Sequence, residues 1–225
     1  MPSDEQIHVH RTVQLAAKST LARLAAQISV ADTEESIAAM AYRELCALGF
    51  PDTWYYNCPA FVLAGARSCQ SISGRVYVPG VEPIGTLNLV IVDLSPVLKG
   101  HWGDCARSFY VEDGCVTTTP VAPEFASGQQ FLNALHADMR QTALPEMTFH
   151  ELFAWTNHRI TCAGFENLDF LGNVGHSIAT RREDRQHIEK ENNRLLREVP
   201  FFTFEPHLRQ VGGRWGFKHE NIFFF

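Results

Sequence analysis

What this sequence lacks narrows it first. It has no basic surplus: 19 Lys and Arg stand against 25 Asp and Glu, a formal net charge of −6. No positive field therefore points to nucleic acid or to an anionic membrane as a partner. It has no long apolar run, since Leu89–Val92 and Phe223–Phe225 fall far short of the ~20 residues a membrane span needs. No two of the six cysteines (Cys46, Cys58, Cys69, Cys105, Cys115, Cys162) form a Cys-x-x-Cys pair. The first residues, Met-Pro-Ser-Asp-Glu-Gln, carry neither the basic nor the apolar region of a secretory signal. Reduced, mostly buried thiols and a cytoplasmic setting are the expectation. Low-complexity linkers and sequence repeats are also missing. What remains is an ordinary globular composition, 45% hydrophobic and 20% charged, with length enough for one large domain over residues 1–225. Ten histidines against five tyrosines make metal chemistry worth checking.

Periodicity gives an α+β order. Val13, Ala17, Leu21, Leu24 and Ile28 recur at helical steps and predict a helix from about Gln6 to Ser29. A second helix is predicted to start at an Asp32 cap with Glu35 three residues on, to bury Ile37, Ala41, Leu45 and Leu48, and to stop at Gly49. From Trp54 to Phe109 the period becomes that of strands, with Phe61–Ala64 and Leu87–Val92 as apolar runs and Val116–Val121 as a further strand. Helices return at Glu124–Gln141 and after Thr148, whose capping box is completed by Glu151. Two more strand candidates close the chain, Phe201–Phe204 and Ile222–Phe225. The helix–strand pattern runs twice, which predicts two similar half-domains with a site in the cleft between them.

Several acids then abut strongly apolar sequence, where an ionised carboxylate needs a partner. Asp93 ends the run Leu89–Val92, and Asp104 precedes Cys105–Phe109 eleven residues later. On adjacent antiparallel strands the two can point into one site, although a turn or cap role is the plainer reading of either alone. His176 stands in Asn173-Val174-Gly175-His176-Ser177, Glu205 closes Phe201–Phe204, and Glu220 runs into Ile222-Phe223-Phe224. Four carboxylates and one imidazole form a hard to borderline donor set. It suits two divalent cations such as Mn, Fe, Co or Zn rather than a thiolate zinc site.

The order Asp93, Asp104, His176, Glu205, Glu220 resembles the methionine aminopeptidase/prolidase family, whose architecture is the pita-bread fold. The resemblance runs from the helical opening to Glu220 through Val92-Asp93, Gly103-Asp104-Cys105-Ala106-Arg107-Ser108-Phe109, Gly175-His176, Phe204-Glu205-Pro206 and Gly216-Phe217-Lys218-His219-Glu220. The later separations are closer to the prolidase/aminopeptidase P branch, though without room for the extra N-terminal domain usual there. The resemblance implies that Asp93 chelates one metal, that Asp104 and Glu220 bridge both, and that His176 and Glu205 complete the other shell. It further implies a metal-activated water attacking a peptide carbonyl, Glu205 as proton shuttle, and removal of an N-terminal residue or cleavage of an X–Pro bond in a small or short-peptide substrate.

Two family histidines have no counterpart at their usual distances. No His lies between Gly65 and Val92, and the position seven after His176 is Glu183. His187 is carried as the catalytic replacement, with a solvated charged helix over its neighbourhood as the alternative. His101 and His207 are further donor candidates, while His219 is expected on the strand face opposite Glu220. Trp102 and Trp215, with His101, are taken as substrate-pocket residues; core packing is the plainer reading of each Trp. The missing imidazoles keep a second possibility open, a lyase or oxidative step at the same metals. A non-catalytic binding module is a third, disfavoured because four bare carboxylates repel one another. A homodimer covering the edge beyond Glu220 is a further expectation.

Overall fold

The computed structural model describes residues 2–225. Ser3 starts helix α1 (Asp4–Ala25) by accepting from the Gln6 amide, while the Gln6 side chain accepts from the Ser3 amide. Helix α2 (Glu34–Ala47) is capped by Thr33 rather than by Asp32. The Asp32 carboxylate is already engaged by the Ser29 amide and hydroxyl and by the Ser36 hydroxyl, so it closes the turn before the helix. Gly49 ends α2 with φ +88°, as the sequence predicts. The predicted stripes are buried: Val13, Ala17, Leu21 and Leu24 on α1, and Ile37, Ala41 and Leu45 on α2.

Strands β1 (Ala60–Ala64) and β2 (Asn88–Leu94) pair antiparallel. A short hairpin, β3 (Val97–Leu98) and β4 (His101–Trp102), leads into β5 (Cys105–Glu112) and β6 (Cys115–Thr117), giving the sheet order β1-β2-β5-β6. Two predicted ends move. Asp93 lies inside β2, and the strand expected at Val116–Val121 stops at Thr117, three residues before Pro120, which cannot donate to a ladder.

The sheet is buried on both faces, which is why β2 reads as a continuous apolar run. Val62, Val90, Val92, Leu94 and Val111 pack on α1 and α2. Leu63, Leu89, Ile91 and Tyr110 face the other core, shared with α3 (Pro123–Thr142) and α4 (Phe149–Cys162). Asp93 shares the second face by its spacing of two from Ile91. Between β1 and β2 the chain is irregular apart from a 3-10 turn at Gly65–Cys69, and buried Glu34 pins it by accepting from the Ala64 and Gly80 amides and from Arg67.

Thr148 and Glu151 cap α4 as predicted. The second half continues with β7 (Phe165–Asn167), β8 (Phe202–Phe204), β9 (His207–Gln210), β10 (Gly216–Lys218) and β11 (Asn221–Phe223). They form the sheet β10-β9-β7 and the pair β11-β8, all antiparallel. The charged stretch Arg181–Glu198 is not a helix. It holds two 3-10 turns, Arg182–Asp184 and Leu196–Glu198, and an extended piece that bonds to 174–177 through Ile188 N–Gly175 O (2.8 Å) and Ser177 N–Gln186 O (2.7 Å). All six cysteines are free thiols, but only Cys105 is buried, contrary to the expectation of mostly buried ones; no helix among the described residues is long and apolar enough to cross a membrane.

Candidate metal centre

Backbone pairing brings the five expected ligand residues together. Residues 174–177 run between 186–188 on one side and 202–205 on the other, fixed by Thr203 N–His176 O (2.7 Å) and Glu205 N–Val174 O (2.9 Å). Only a glycine fits at 175: a Cβ there would lie 2.2 Å from the Thr203 carbonyl oxygen, and φ is +153°. Glu220 reaches the first half by donating its amide to the Ala106 carbonyl (3.0 Å), and Arg107 holds the Glu220 carbonyl (2.7 Å) and the Asn221 side chain (2.9 Å).

Asp93, Asp104, His176 and Glu205 line a cavity of about 350 Å³, and Glu220 lies fully buried beside Asp104 and His176. One donor atom each from Asp104, His176 and Glu220 lie within 4.8 Å of one another. His176 Nδ1 is 2.9 Å from the Ser177 carbonyl and so donates to it, which leaves Nε2 as a lone-pair donor. That Nε2 is 3.4 Å from Asp104 and 3.6 Å from Glu205. Both Glu220 carboxylate oxygens are buried without a hydrogen-bond partner. With only the Lys218 ammonium near it, at 3.6 Å, that buried carboxylate calls for a further cation, and the mixed carboxylate–imidazole set suits a divalent one. The residues present therefore fit a divalent metal.

The electrostatics agree. Burial, with Asp93 and Glu205 adding to it, pushes Asp104 up to about 6 against the pull of His176. Burial, then Asp104 and Glu205, drive Glu220 far above the usual carboxylate range. Burial would lower the His176 imidazole, but Asp104 and Glu205 outweigh it and the net shift is upward. Burial would likewise raise Glu205, yet Lys218 and His176 bring it down to about 2.

Sequence reasoning missed Lys218, whose ammonium sits 2.6 Å from Asp93, 2.9 Å from Glu205 and 3.6 Å from Glu220. The signal was available, because Lys218 and Glu220 are two apart in an extended segment and so share a face. His187 does line the cavity, its ring centroid 5.9 Å from that of His176, and burial lowers it to about 4. His207 also lines the cavity, with Nε2 donating to the Ser68 carbonyl (2.6 Å).

The three expected substrate residues lie elsewhere. His101 and Trp102 border a separate cavity beside the start of α1, because the β3–β4 hairpin turns away from the ligands. Trp102 backs the metal cavity only indirectly, by stacking at 4.4 Å on Trp54, which does line it. Trp215 packs against Phe125 at 5.2 Å on the α3 side of β10. The cavity's actual aromatic wall is Trp54, Tyr55, Tyr56, Phe61 and Phe170. His219 turns away from Glu220 and packs on His136, 4.2 Å between rings.

The profile of metallopeptidase family M24 matches residues 8–224. The chain belongs to this family. Among solved structures it is similar to an X-Pro aminopeptidase from Thermotoga maritima (TM-score 0.80, 17% identity, 98% of this chain and 58% of that one). It is also similar to a prolidase from Pyrococcus horikoshii (0.80, 18%, 100% and 60%) and an Xaa-Pro dipeptidase from Bacillus anthracis (0.77, 18%, 100% and 59%). At these identities the likeness establishes the fold, the α+β pita-bread architecture expected from the sequence. The M24 chain thus spans about three fifths of the length of these three proteins. No curated protein matches its sequence.

Proposed function

We propose that this M24 chain is a metal-dependent hydrolase that cleaves an amide bond in a short peptide or similarly small substrate, in the manner of an X-Pro aminopeptidase or prolidase. The observation that carries the reading is Glu220, wholly buried beside the Asp104 and His176 donors, with neither oxygen hydrogen-bonded and only the Lys218 ammonium near it, at 3.6 Å. Asp104, His176 and Glu220 would hold a divalent cation, which when bound supplies Lewis-acid polarisation of a carbonyl and a lowered pKa for water.

The chain's own residues do the rest. Lys218 keeps Glu205 ionised, the state in which a carboxylate accepts a proton from an attacking water and passes it to a leaving amine. His187 faces the cavity as a neutral imidazole and offers a donor to the substrate oxygen, in place of the family histidine whose position holds Glu183. Trp54, Tyr55 and Phe61 give the apolar wall that seats a side chain, and they exclude water from the reacting bond.

A second reading, non-peptidase chemistry at the same centre, is favoured by Gln70, Ser71 and Ser73 lining the wall where the resemblance implies an imidazole. The deciding experiment is turnover of a dipeptide panel, X–Pro members included, by protein loaded with Mn, Co, Fe or Zn. Hydrolysis is expected, with a loss on the order of 100-fold or more in Glu220→Gln and Asp104→Asn. Stoichiometric metal binding without turnover of any peptide or amide would discard the hydrolase reading and leave the second.

A further inference from the structure

The cavity beside the start of α1, of about 410 Å³, shares a wall with the metal cavity. In the extended piece 184–187 alternate residues serve the two sides: Arg185 and His187 line the metal cavity, Asp184 and Gln186 the other. The opposing segment divides in the same way, His176 on the first cavity and Ser177 on the second, with the Ser177 hydroxyl accepting from the Gln186 amide at 2.9 Å. The stacked indoles of Trp54 and Trp102 complete the partition, one bordering each cavity.

The floor of this second cavity is buried and mainly apolar, made by Trp102, Ile178 and Phe201. Buried His10 lies on Phe201, 3.8 Å between ring centroids, and its Nδ1 has no hydrogen-bond partner. Burial, then the neighbouring His101, pushes His10 down to about 4, so the floor carries no charge at neutral pH.

The rim is cationic. Lys99 and Arg194 stand exposed on it, and among the described residues neither has a carboxylate within ion-pair distance. The acid that lines the cavity, Asp184, is already taken by Arg181 through Nε at 2.9 Å and Nη2 at 3.2 Å. The backbone at Lys99 is itself unusual. Lys99 and Gly100 form the two-residue loop of the β3–β4 hairpin, both in the left-handed region at φ +51° and +77°. Asn or Asp is favoured at the first of these positions, so a lysine there carries strain, and what the position gains is its ammonium. Two cations without carboxylates above an aromatic and aliphatic floor match a ligand with an anionic head and an apolar body. Ammonium and guanidinium groups take a phosphate or carboxylate through charge-assisted hydrogen bonds, and a cavity of this size seats a small ring or short chain.

We propose that this cavity is a second ligand site, for a small organic oxyanion whose phosphate or carboxylate meets Lys99 and Arg194 and whose apolar body rests on Trp102 and Phe201. The inference goes beyond the hydrolase reading and stands without it, since it invokes neither the metal nor the reaction.

The test is calorimetric titration of the full chain, both Mn(II)-loaded and stripped with chelator, with phenyl phosphate, benzoate, inorganic phosphate and phenol. Amide NMR of the stripped chain locates the contact. Phenyl phosphate or benzoate is expected to saturate the stripped chain at one equivalent and to shift the amides of residues 99–102 and 177–180. The tighter of the two tells a phosphate head from a carboxylate. Phenol should bind on the order of tenfold or more weakly for want of the charge, and inorganic phosphate more weakly for want of the body. Lys99→Met and Arg194→Met, both at exposed positions, should each weaken binding on the order of tenfold, and Lys99→Arg should restore it. No saturable binding of either organic anion to wild type would overturn the proposal and leave the hydrolase reading untouched. Binding that survives both Met substitutions, or that needs Mn(II), would place the anion in the metal cavity and overturn it equally.

Discussion

His136 on α3 donates its Nε2–H to the His219 carbonyl at 2.9 Å, while its Nδ1 is buried with no partner. Protonating Nδ1 would place a charged donor where nothing accepts it. Burial accordingly lowers the imidazole to about 4, from an ordinary value near 6.5. The sign follows from proton counting: between about pH 6.5 and 4 the unfolded chain takes up a proton that the folded chain refuses. Stability is therefore lost as pH falls through that window, and is fully retained above it. A shift of this size corresponds to about 3 kcal/mol at the acidic end. Against His136→Gln, the wild-type advantage in Tm should shrink between pH 6.5 and 4 by roughly 5–10 °C. A gap that stays constant across the range would show that His136 protonates equally well in the folded protein.

At the scale of elements, the centre depends on how closely segment 174–177 lies against the turn-and-strand 202–205. Gly175 permits that approach, and a methyl at this position would meet the Thr203 carbonyl oxygen at 2.2 Å and Ile188 at 2.9 Å. Gly175→Ala must push the segment outward, carrying His176 away from Asp104. We expect Mn(II) affinity to fall on the order of 10–100-fold, together with a lower Tm, by calorimetric titration and thermal melting. Unchanged affinity would mean that the strand spacing does not set the ligand geometry. This element also shows what the sequence could and could not carry. The candidate ligands stood out because each acid lies within or beside apolar strand sequence, a local signal that burial makes costly to ignore. The helices were legible from their apolar stripes and capping residues, with Thr33 in place of Asp32 as a one-residue slip. His101, Trp102 and Trp215 were misplaced because proximity in sequence to a ligand does not fix side-chain direction. The β3–β4 hairpin turns two of them away from the ligands, and Trp215, just before β10, packs toward α3. The extended path of 186–188, which delivers His187 to the cavity, had no periodic signal at all, since it is fixed by pairing with residues 174–177.

At the scale of the molecule, the candidate donors span both halves: Asp104 stands just before β5 in the first, while His176 and Glu220 belong to the second. Without a metal ion, the junction holds two buried carboxylates that oppose it, against the shared core, the Arg107 contact and the Glu220–Ala106 bond that join the halves. A divalent ion, if held as proposed, would remove that repulsion and tie the halves through the same three side chains. Because the site does not exist in the unfolded chain, binding adds directly to folding stability. At free metal about 100-fold above Kd the gain is about 2.7 kcal/mol, which for a chain of this size is a Tm rise of roughly 5–10 °C. Chelator should reverse the rise, and Asp104→Asn should abolish it. The distribution of the effect is the sharper measure. Hydrogen exchange should show added protection in β2 and β5 of the first half and, in parallel, in residues 174–177 and 202–205 of the second. Protection gained in the second half alone would mean that Asp104 does not bind the ion, and that the two halves are held together by their core and not by the metal.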